Sequence, residues 1–394
     1  MKTAIPYGKH YIDQDDIDSV VDVLKNHPLT QGKKVSDFEE ALAEFVGAKY
    51  AVAMSSWTAG LHMACIAAGV DDSNAVVTSP ITFVASSNAA LYCGAEVIFS
   101  DIDKSTINLC PERLRETVKK NQNIKAIIPV HFSGLPCDME SIRATADGIN
   151  AFVIEDAAHA LGAIYPDGSK VGSCKYSDMT GFSFHPVKSI AAGEGGMITT
   201  NDRAIYKKLL RLRSHGINKL DDDFIDKSSA VTGNLKNPWY MEMQELGYNY
   251  RITDIQAALG KSQLKKLPNF IDRRRQLVKR YDDAFGGIDN IRPIQAQGRD
   301  TSSHHLYVIR MNYSALETSR AAVMNNLLND GVCTQVHYIP VTSHPFYREL
   351  GFDSKDYPHA LEFYEEALSI PLYYSLTDID QDKVIAALKK LLSL

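Results

Sequence analysis

An apolar run, Phe152-Val153-Ile154, leads directly into Glu155-Asp156-Ala157-Ala158-His159-Ala160. In an open α/β sheet, ligands bind at the carboxyl ends of the strands. A carboxylate in that position, Asp156, either caps the helix that follows or meets a cationic ring nitrogen. An acid that keeps a pyridine nitrogen protonated makes the ring an electron sink. A second segment, Phe182-Ser183-Phe184-His185-Pro186-Val187-Lys188, ends in a lysine among apolar neighbours. Lysine gives up its proton when desolvated, and the free amine attacks carbonyl carbon; the alternative is a solvated surface lysine. Ser183, upstream of Lys188, can offer its hydroxyl to a phosphate, and Gly193-Glu194-Gly195-Gly196 lets backbone approach closely.

Two earlier segments fit the same chemistry. Met54-Ser55-Ser56-Trp57-Thr58-Ala59-Gly60-Leu61-His62 sets small hydroxylated residues before an apolar helical run. Helix N-termini bind phosphate through free N–H groups. Thr58 is the best side-chain donor there, with ordinary N-capping as the alternative. In Ser79-Pro80-Ile81-Thr82-Phe83-Val84-Ala85-Ser86, Phe83 follows a strand and a turn. It either stacks on a flat ring or sits in the core.

The elements that must position these residues are legible as alternation. Strand-like runs at Ala75–Thr78, Glu96–Phe99, Ala126–Val130, Phe152–Ile154 and Met197–Thr199 alternate with helical stretches. That pattern predicts a mostly parallel, doubly wound α/β sheet with helices on both faces. Asp15–Lys25 and Phe38–Phe45 read as helices separated by a polar hinge at 26–33, and 200–245 reads as charged and irregular, with exposed loop at Asp221-Asp222-Asp223 and Asn234–Pro238. Beyond it, helices are predicted at Ile255–Lys266, from Leu267 to Asp289, at Arg320–Asp330 and at Asp380–Ser393, and strands at Leu306–Met311 and Thr334–Tyr338. The division expected is a large domain over 1–255 and a smaller C-terminal α+β domain over 256–394.

The chain has 394 residues and a net charge of −6, with no long basic run, which argues against a nucleic-acid partner. No apolar stretch reaches membrane-span length, and the N-terminus lacks a signal-peptide pattern. A cytoplasmic protein is expected. The six cysteines are scattered and form no CxxC pair, so reduced, buried thiols and no metal site are expected.

Taken in order, these blocks resemble the DegT/DnrJ/StrS sugar aminotransferases, pyridoxal-phosphate enzymes of the aspartate-aminotransferase fold type (fold type I). The resemblance covers nearly the whole chain. It is carried also by Leu246-Gly247-Tyr248-Asn249-Tyr250-Arg251-Ile252-Thr253-Asp254 and Gln335-Val336-His337-Tyr338-Ile339-Pro340. It implies that Lys188 holds pyridoxal 5'-phosphate as a Schiff base and then shuttles protons. It further implies that Asp156 pairs with the ring nitrogen, His159 lies on the ring-hydroxyl side, Phe83 stacks on the ring, and Thr58 and Ser183 bind the phosphate. Asn249 is implied to reach the phosphate from the neighbouring subunit of a homodimer.

Within the family, Ile5-Pro6-Tyr7-Gly8, Leu29-Thr30-Gln31-Gly32 and His185-Pro186-Val187-Lys188 resemble the members of pseudaminic acid synthesis. These aminate C4 of UDP-2-acetamido-2,6-dideoxy-β-L-arabino-hex-4-ulose with L-glutamate as donor. Tyr7, Pro28, Leu29, Thr30, His185, His337 and Tyr338 are then the substrate-side residues. The alternatives are another UDP-, GDP- or dTDP-linked keto sugar, a sugar dehydratase (in which histidine replaces the lysine), or a regulator without activity. One position departs from the family, which usually has Gly or Ala where Trp57 stands. Its backbone N–H is expected near the cofactor, and its side chain is expected to crowd the sugar pocket or stack on a sugar ring.

Overall fold

The computed structural model describes residues 4–219 and 224–392. Asp221-Asp222-Asp223 and Ser393 lie outside the described residues. Seven strands, β1 (Tyr50–Met54), β2 (Ala75–Thr78), β3 (Glu96–Phe99), β4 (Ile124–Ile128), β5 (Phe152–Asp156), β6 (Met179–Ser183) and β7 (Gly196–Thr200), form one sheet in the order β1-β7-β6-β5-β4-β2-β3. β7 runs antiparallel to both neighbours, and the remaining pairs are parallel.

Successive strand residues point to opposite faces, and here both faces are apolar. Ala51, Ala53, Val77, Ile127 and Val153 pack on one face with α2 (Lys33–Val46), α5 (Pro111–Lys120), α6 (Met139–Asp147) and the start of α8 (Asp254–Phe285). Val52, Val76, Ile128 and Ile154 pack on the other with α3 (Trp57–Ala67), α4 (Ala85–Tyr92) and α7 (Arg203–Arg213). The layered sheet expected from the alternation is therefore present.

α8 spans 32 residues with Pro268 inside it, where two successive helices were expected. Its first half packs on α1 (Gln14–Asn26) and α2, while Leu277, Tyr281 and Phe285 join the core of a three-stranded antiparallel sheet, β12-β13-β14. These strands are β12 (Ile291–Pro293), β13 (Tyr307–Met311) and β14 (Ala367–Ile370). Helices α9 (Arg320–Asn329) and α12 (Asp378–Leu391) share that core and α11 (Pro358–Glu366) packs on β13, whereas α10 (Pro345–Glu349) joins the large sheet's core through Tyr347. The position between residues 255 and 256 falls inside α8.

Several expectations shift. The stretch 200–245 is not irregular throughout. Asp202 caps α7, and Ile205, Leu209 and Leu212 form its buried stripe. Between α7 and α8, β8 (Ile217–Asn218) pairs with β11 (Glu242–Met243), and β9 (Val231–Thr232) forms an exposed hairpin with β10 (Leu235–Lys236). Residues 334–338 are not a strand; Gln335 makes only an isolated bridge to Ser369. Asp254 caps α2, whose own N-cap is Gly32: its carboxylate accepts the N–H groups of Gly32 (2.8 Å) and Lys34 (3.0 Å). α2 thus begins at Lys33, where the helix was expected only from Phe38.

At the end of β5, Glu155 points into the core. Its carboxylate accepts from His131 (2.6 Å), Ser177 (2.5 Å), Thr180 (2.8 Å) and Tyr165. The Cys137 N–H donates to His131 Nδ1 at 3.0 Å, so Nε2 carries the proton given to Glu155. Burial opposes ionisation of Glu155, but these donors hold its pKa below the ordinary glutamate value. Glu155→Gln is therefore expected to cost about 3 kcal/mol of stability at neutral pH, because donors are left facing the wrong partner in a buried site. The folded pKa is the lower one, so this contribution is present above the unfolded carboxylate pKa of about 4.3 and fades as the pH falls below it. Denaturant unfolding at two pH values checks this, and a wild-type unfolding free energy for the variant at pH 7 would refute it.

Candidate active site

The carboxyl ends of β5 and β6, the first turn of α3 and the loop from β6 to β7 surround one cavity of about 730 Å³. This size is ordinary for a cofactor and small substrate. Tyr7, Trp57, Thr58, Phe83, Asp156, His159, Ser183, His185, Lys188, His337 and Tyr338 all line it. The structure thus brings together eleven of the fifteen residues expected at the site. Pro28, Leu29, Thr30 and Asn249 are exposed and do not line it. Thr30 bridges Thr253 and Leu29 accepts the Asp254 N–H, while Asn249 bridges Ser214.

Asp156 is the last residue of β5, and its backbone is tied to Pro129, His131 and Gly181. One carboxylate oxygen, Oδ1, accepts the Trp57 indole N–H at 2.8 Å and the Ala158 N–H at 3.2 Å. The other, Oδ2, accepts the Ser86 hydroxyl at 2.6 Å, and Ser86 in turn meets Thr82 at 2.7 Å.

Trp57 corrects the sequence expectation. Its indole is buried in the core on the α3 face of the sheet, beneath Asp156, and not extended into the cavity. The slot is open because Gly60 and Gly181 lack side chains: a Cβ at Gly181 would lie 1.7 Å from Cη2 of the indole, and one at Gly60 2.6 Å from Cε3.

Lys188 follows a turn closed by its own N–H to His185 O at 2.8 Å, and Phe184, buried in the core, anchors the loop. Enclosure by the protein pushes the Lys188 amine down to about 8, against the upward pull of the Asp156 carboxylate. Across the cavity, the Ser133 N–H donates to His159 Nδ1 (3.3 Å), which leaves Nε2–H for the Tyr338 oxygen at 3.1 Å. His305 lies against His159 with ring centroids 4.3 Å apart. Burial, reinforced by Lys188, holds His337 down at about 3 and drives His159 and His305 well below the usual histidine value. Three imidazoles therefore stand neutral beside one amine.

At the far end, Ser56 caps α3 by accepting the Ala59 N–H at 3.1 Å. The amides of Trp57 and Thr58, both on the cavity wall, have no intrahelical acceptor. Phe83 is 61% exposed. It is not a core residue, and its ring is left without a cover. A helix N-terminus, an open aromatic face, a depressed lysine and a strand-end acid around one space fit a phosphorylated aromatic aldehyde. Among the described residues no cluster of three or more metal-type ligands occurs, and no helix is long and apolar enough to cross a membrane. All six cysteines are free, four of them buried.

Ser86 and His305 escaped the sequence reading. Ser86 sits in the first turn of a short helix just after Phe83, a signal that was available; His305 belongs to no motif and is placed only by tertiary packing.

Residues 10–389 match the DegT/DnrJ/EryC1/StrS aminotransferase family. The spore coat polysaccharide biosynthesis protein SpsC of Bacillus subtilis is 38% identical over 389 residues, 98% of this chain and 96% of that one. The UDP-4-amino-4,6-dideoxy-N-acetyl-β-L-altrosamine transaminase of Campylobacter jejuni is 39% identical over 373 residues, 94% of this chain and 93% of that one. Among solved structures, PseC of Helicobacter pylori, an aminotransferase involved in the biosynthesis of pseudoaminic acid, superposes with a TM-score of 0.89 at 30% identity, covering 99% of this chain and 100% of that one. The structure titled putative sugar aminotransferase Spr1654 from Streptococcus pneumoniae, solved in PMP and PLP forms, superposes with TM-scores of 0.88 and 0.87 at 29% identity, covering 98% of each chain. The chain therefore belongs to the DegT/DnrJ/EryC1/StrS aminotransferase family, as a pyridoxal-phosphate-dependent nucleotide-sugar aminotransferase of fold type I.

Proposed function

We propose that the chain transfers the amino group of L-glutamate to C4 of a UDP-linked 4-keto-6-deoxy-N-acetylhexosamine, UDP-2-acetamido-2,6-dideoxy-β-L-arabino-hex-4-ulose, in pseudaminic acid or related surface-glycan synthesis. The observation that carries the reading is the meeting of Lys188 and Asp156 in one cavity with the α3 N-terminus and the open face of Phe83. The choice of sugar is supported by the activity named for the Campylobacter jejuni relative.

When bound, the cofactor supplies an electrophilic carbon and an electron sink. Lys188 would hold it through its neutral amine; the amino group of glutamate would take that place and free the lysine, whose amine would then take the proton from Cα of glutamate and, in the second half, deliver one to C4 of the sugar. Asp156 would keep the ring nitrogen protonated. Thr58, Ser183 and the first amides of α3 would hold the phosphate, and Phe83 would offer its ring for stacking. His159, held neutral and bonded to Tyr338, borders the ring without adding charge. Tyr7, His185, His337 and Tyr338 shape the sugar side.

The site is completed by a second copy. Trp239, Met241, Met243 and Leu246 are exposed large apolar residues on the approach to Asn249, a patch suited to burial in an interface. The backbone pairing of Leu29 and Thr30 with 253–254 keeps that segment close to the same surface. Asn249 and Pro28–Thr30 then serve the partner's cavity.

Three outcomes follow. L-Glutamate should bleach the visible absorbance of the cofactor-loaded protein, and the UDP-4-keto sugar should restore it; Lys188→Ala should slow the cycle by at least about a thousandfold. Bleaching without restoration by this sugar would sink the acceptor assignment and keep the aminotransferase. Capture of added cofactor by the empty protein should accelerate as the pH rises towards about 8 and level off above it, since only the neutral Lys188 amine reacts. A stopped-flow rate still climbing at the ordinary lysine pKa, about 10.4, would contradict a depressed Lys188. Mixing inactive Lys188→Ala with inactive Asn249→Ala protein and allowing subunits to exchange should restore about a quarter of the sites, because each mixed dimer holds one intact site. No recovery despite proven exchange would place Asn249 in its own chain's site or outside the chemistry.

A further inference from the structure

Trp57 occupies an odd place for so large a side chain. It is the first residue of α3, in the turn read above as the phosphate seat, yet its indole is buried beneath the strand-end acid. An indole N–H only donates, and when buried it needs an acceptor. Among the described residues its partner is Oδ1 of Asp156 at 2.8 Å. The ring fits only because residues 60 and 181 are glycine, and the Cβ of any other residue at 181 would overlap it. Two further donors, the Ala158 N–H and the Ser86 hydroxyl, leave the carboxylate gripped from α3, from α4 and from the end of β5 itself.

We infer that Trp57 is a positioning residue for Asp156: its indole N–H fixes the carboxylate plane and ties the acid to the same helical turn that receives the phosphate. The two ends of the cofactor site are thereby set by one residue, its backbone amide at one end and its indole at the other. This rests on the reading of Asp156 as the group facing the ring nitrogen. With Trp57 and Ala158 on Oδ1 and Ser86 on Oδ2, both oxygens are held and the carboxylate cannot rotate about its own axis. Hydrogen bonds to a carboxylate are charge-assisted and about twice as strong as neutral ones, so the loss should be felt in rate and not in packing alone.

The chain has two tryptophans, Trp57 and Trp239. In cofactor-free protein labelled with ¹⁵N at the indole, a Trp239→Phe background leaves the Trp57 signal alone. It should lie downfield, exchange slowly with solvent and move upfield in Asp156→Asn. Trp57→Phe, which keeps an aromatic ring in the slot, should fold and load cofactor but slow the glutamate half-reaction roughly ten- to a hundredfold, the range of a charged hydrogen bond. Gly181→Ala should displace the indole signal in the same way as Asp156→Asn. In Trp57→Gly the same alanine should instead raise the melting temperature, since its methyl enters an emptied slot. An indole signal indifferent to Asp156→Asn, or a Trp57→Phe enzyme at full rate, would overturn the inference. If Asp156→Asn itself turned over normally while its indole signal moved, the contact would stand and the role given to Asp156 in the proposed function would fall.

Discussion

Two carboxylates side by side on a strand cannot share a face. Glu155 and Asp156 end β5, and the alternation of the strand sends one into the core and the other into the cavity. Everything at the site depends on this division. Glu155 is held by His131, Tyr165, Ser177 and Thr180, so the end of β5 is bolted to β6 and to the loop after β4 through hydrogen bonds that exclude water. Asp156 inherits that rigidity. A one-residue slip of β5 would turn each acid to the opposite face, so that Asp156 would enter the core and Ala157 would take its place at the cavity. The register is therefore strongly specified, because both changes are costly.

The charges that remain in the cavity are few. Burial keeps His159, His305 and His337 neutral. Lys188 sits among them with an amine shifted down to about 8, and Asp156 opposes that shift without cancelling it. A lysine that must alternate between attacking carbon and carrying a proton works best near the ambient pH. Had the neighbouring imidazoles been protonated, their repulsion would have driven the amine lower still and weakened its ability to hold a proton. The neutral histidines supply shape and hydrogen bonds beside Lys188 and Asp156.

The sheet was legible where strands are buried on both faces. Ala75–Thr78 and Glu96–Phe99 have the bounds read from sequence, because short β-rich runs between turns admit few alternatives. β6 was less legible because Gly181 interrupts it, and that glycine is there to admit the Trp57 ring. α7 was hidden in a stretch judged by its charges, although its capping Asp202 and its stripe of Ile205, Leu209 and Leu212 were present. Pro268 suggested a break that packing along the whole of α8 overrides. At the site, the residues that face the cavity could be read as an ordered set. The direction of the Trp57 side chain could not, since it depends on glycines 60 and 181, which lie far apart in sequence and meet only in the folded chain.

The cavity wall also carries an argument about what one chain lacks. Among the described residues that line it, Lys188 is the sole ammonium or guanidinium group. Under the proposed reaction that amine is committed to chemistry, and the first turn of α3 to the cofactor phosphate. A nucleotide sugar brings a further diphosphate, whose charge needs donors or cations of its own. The wall otherwise offers imidazoles, three of them held neutral by burial, two phenols, the Asp156 and Glu194 carboxylates, a few hydroxyl and amide groups and apolar side chains. Under the proposed reaction, further cations for that diphosphate come from outside this wall, and the exposed apolar residues before Asn249 fit the second copy proposed above. The shortage of positive charge inside and the exposed apolar surface outside both fit the arrangement proposed above, in which each chain finishes its partner's site.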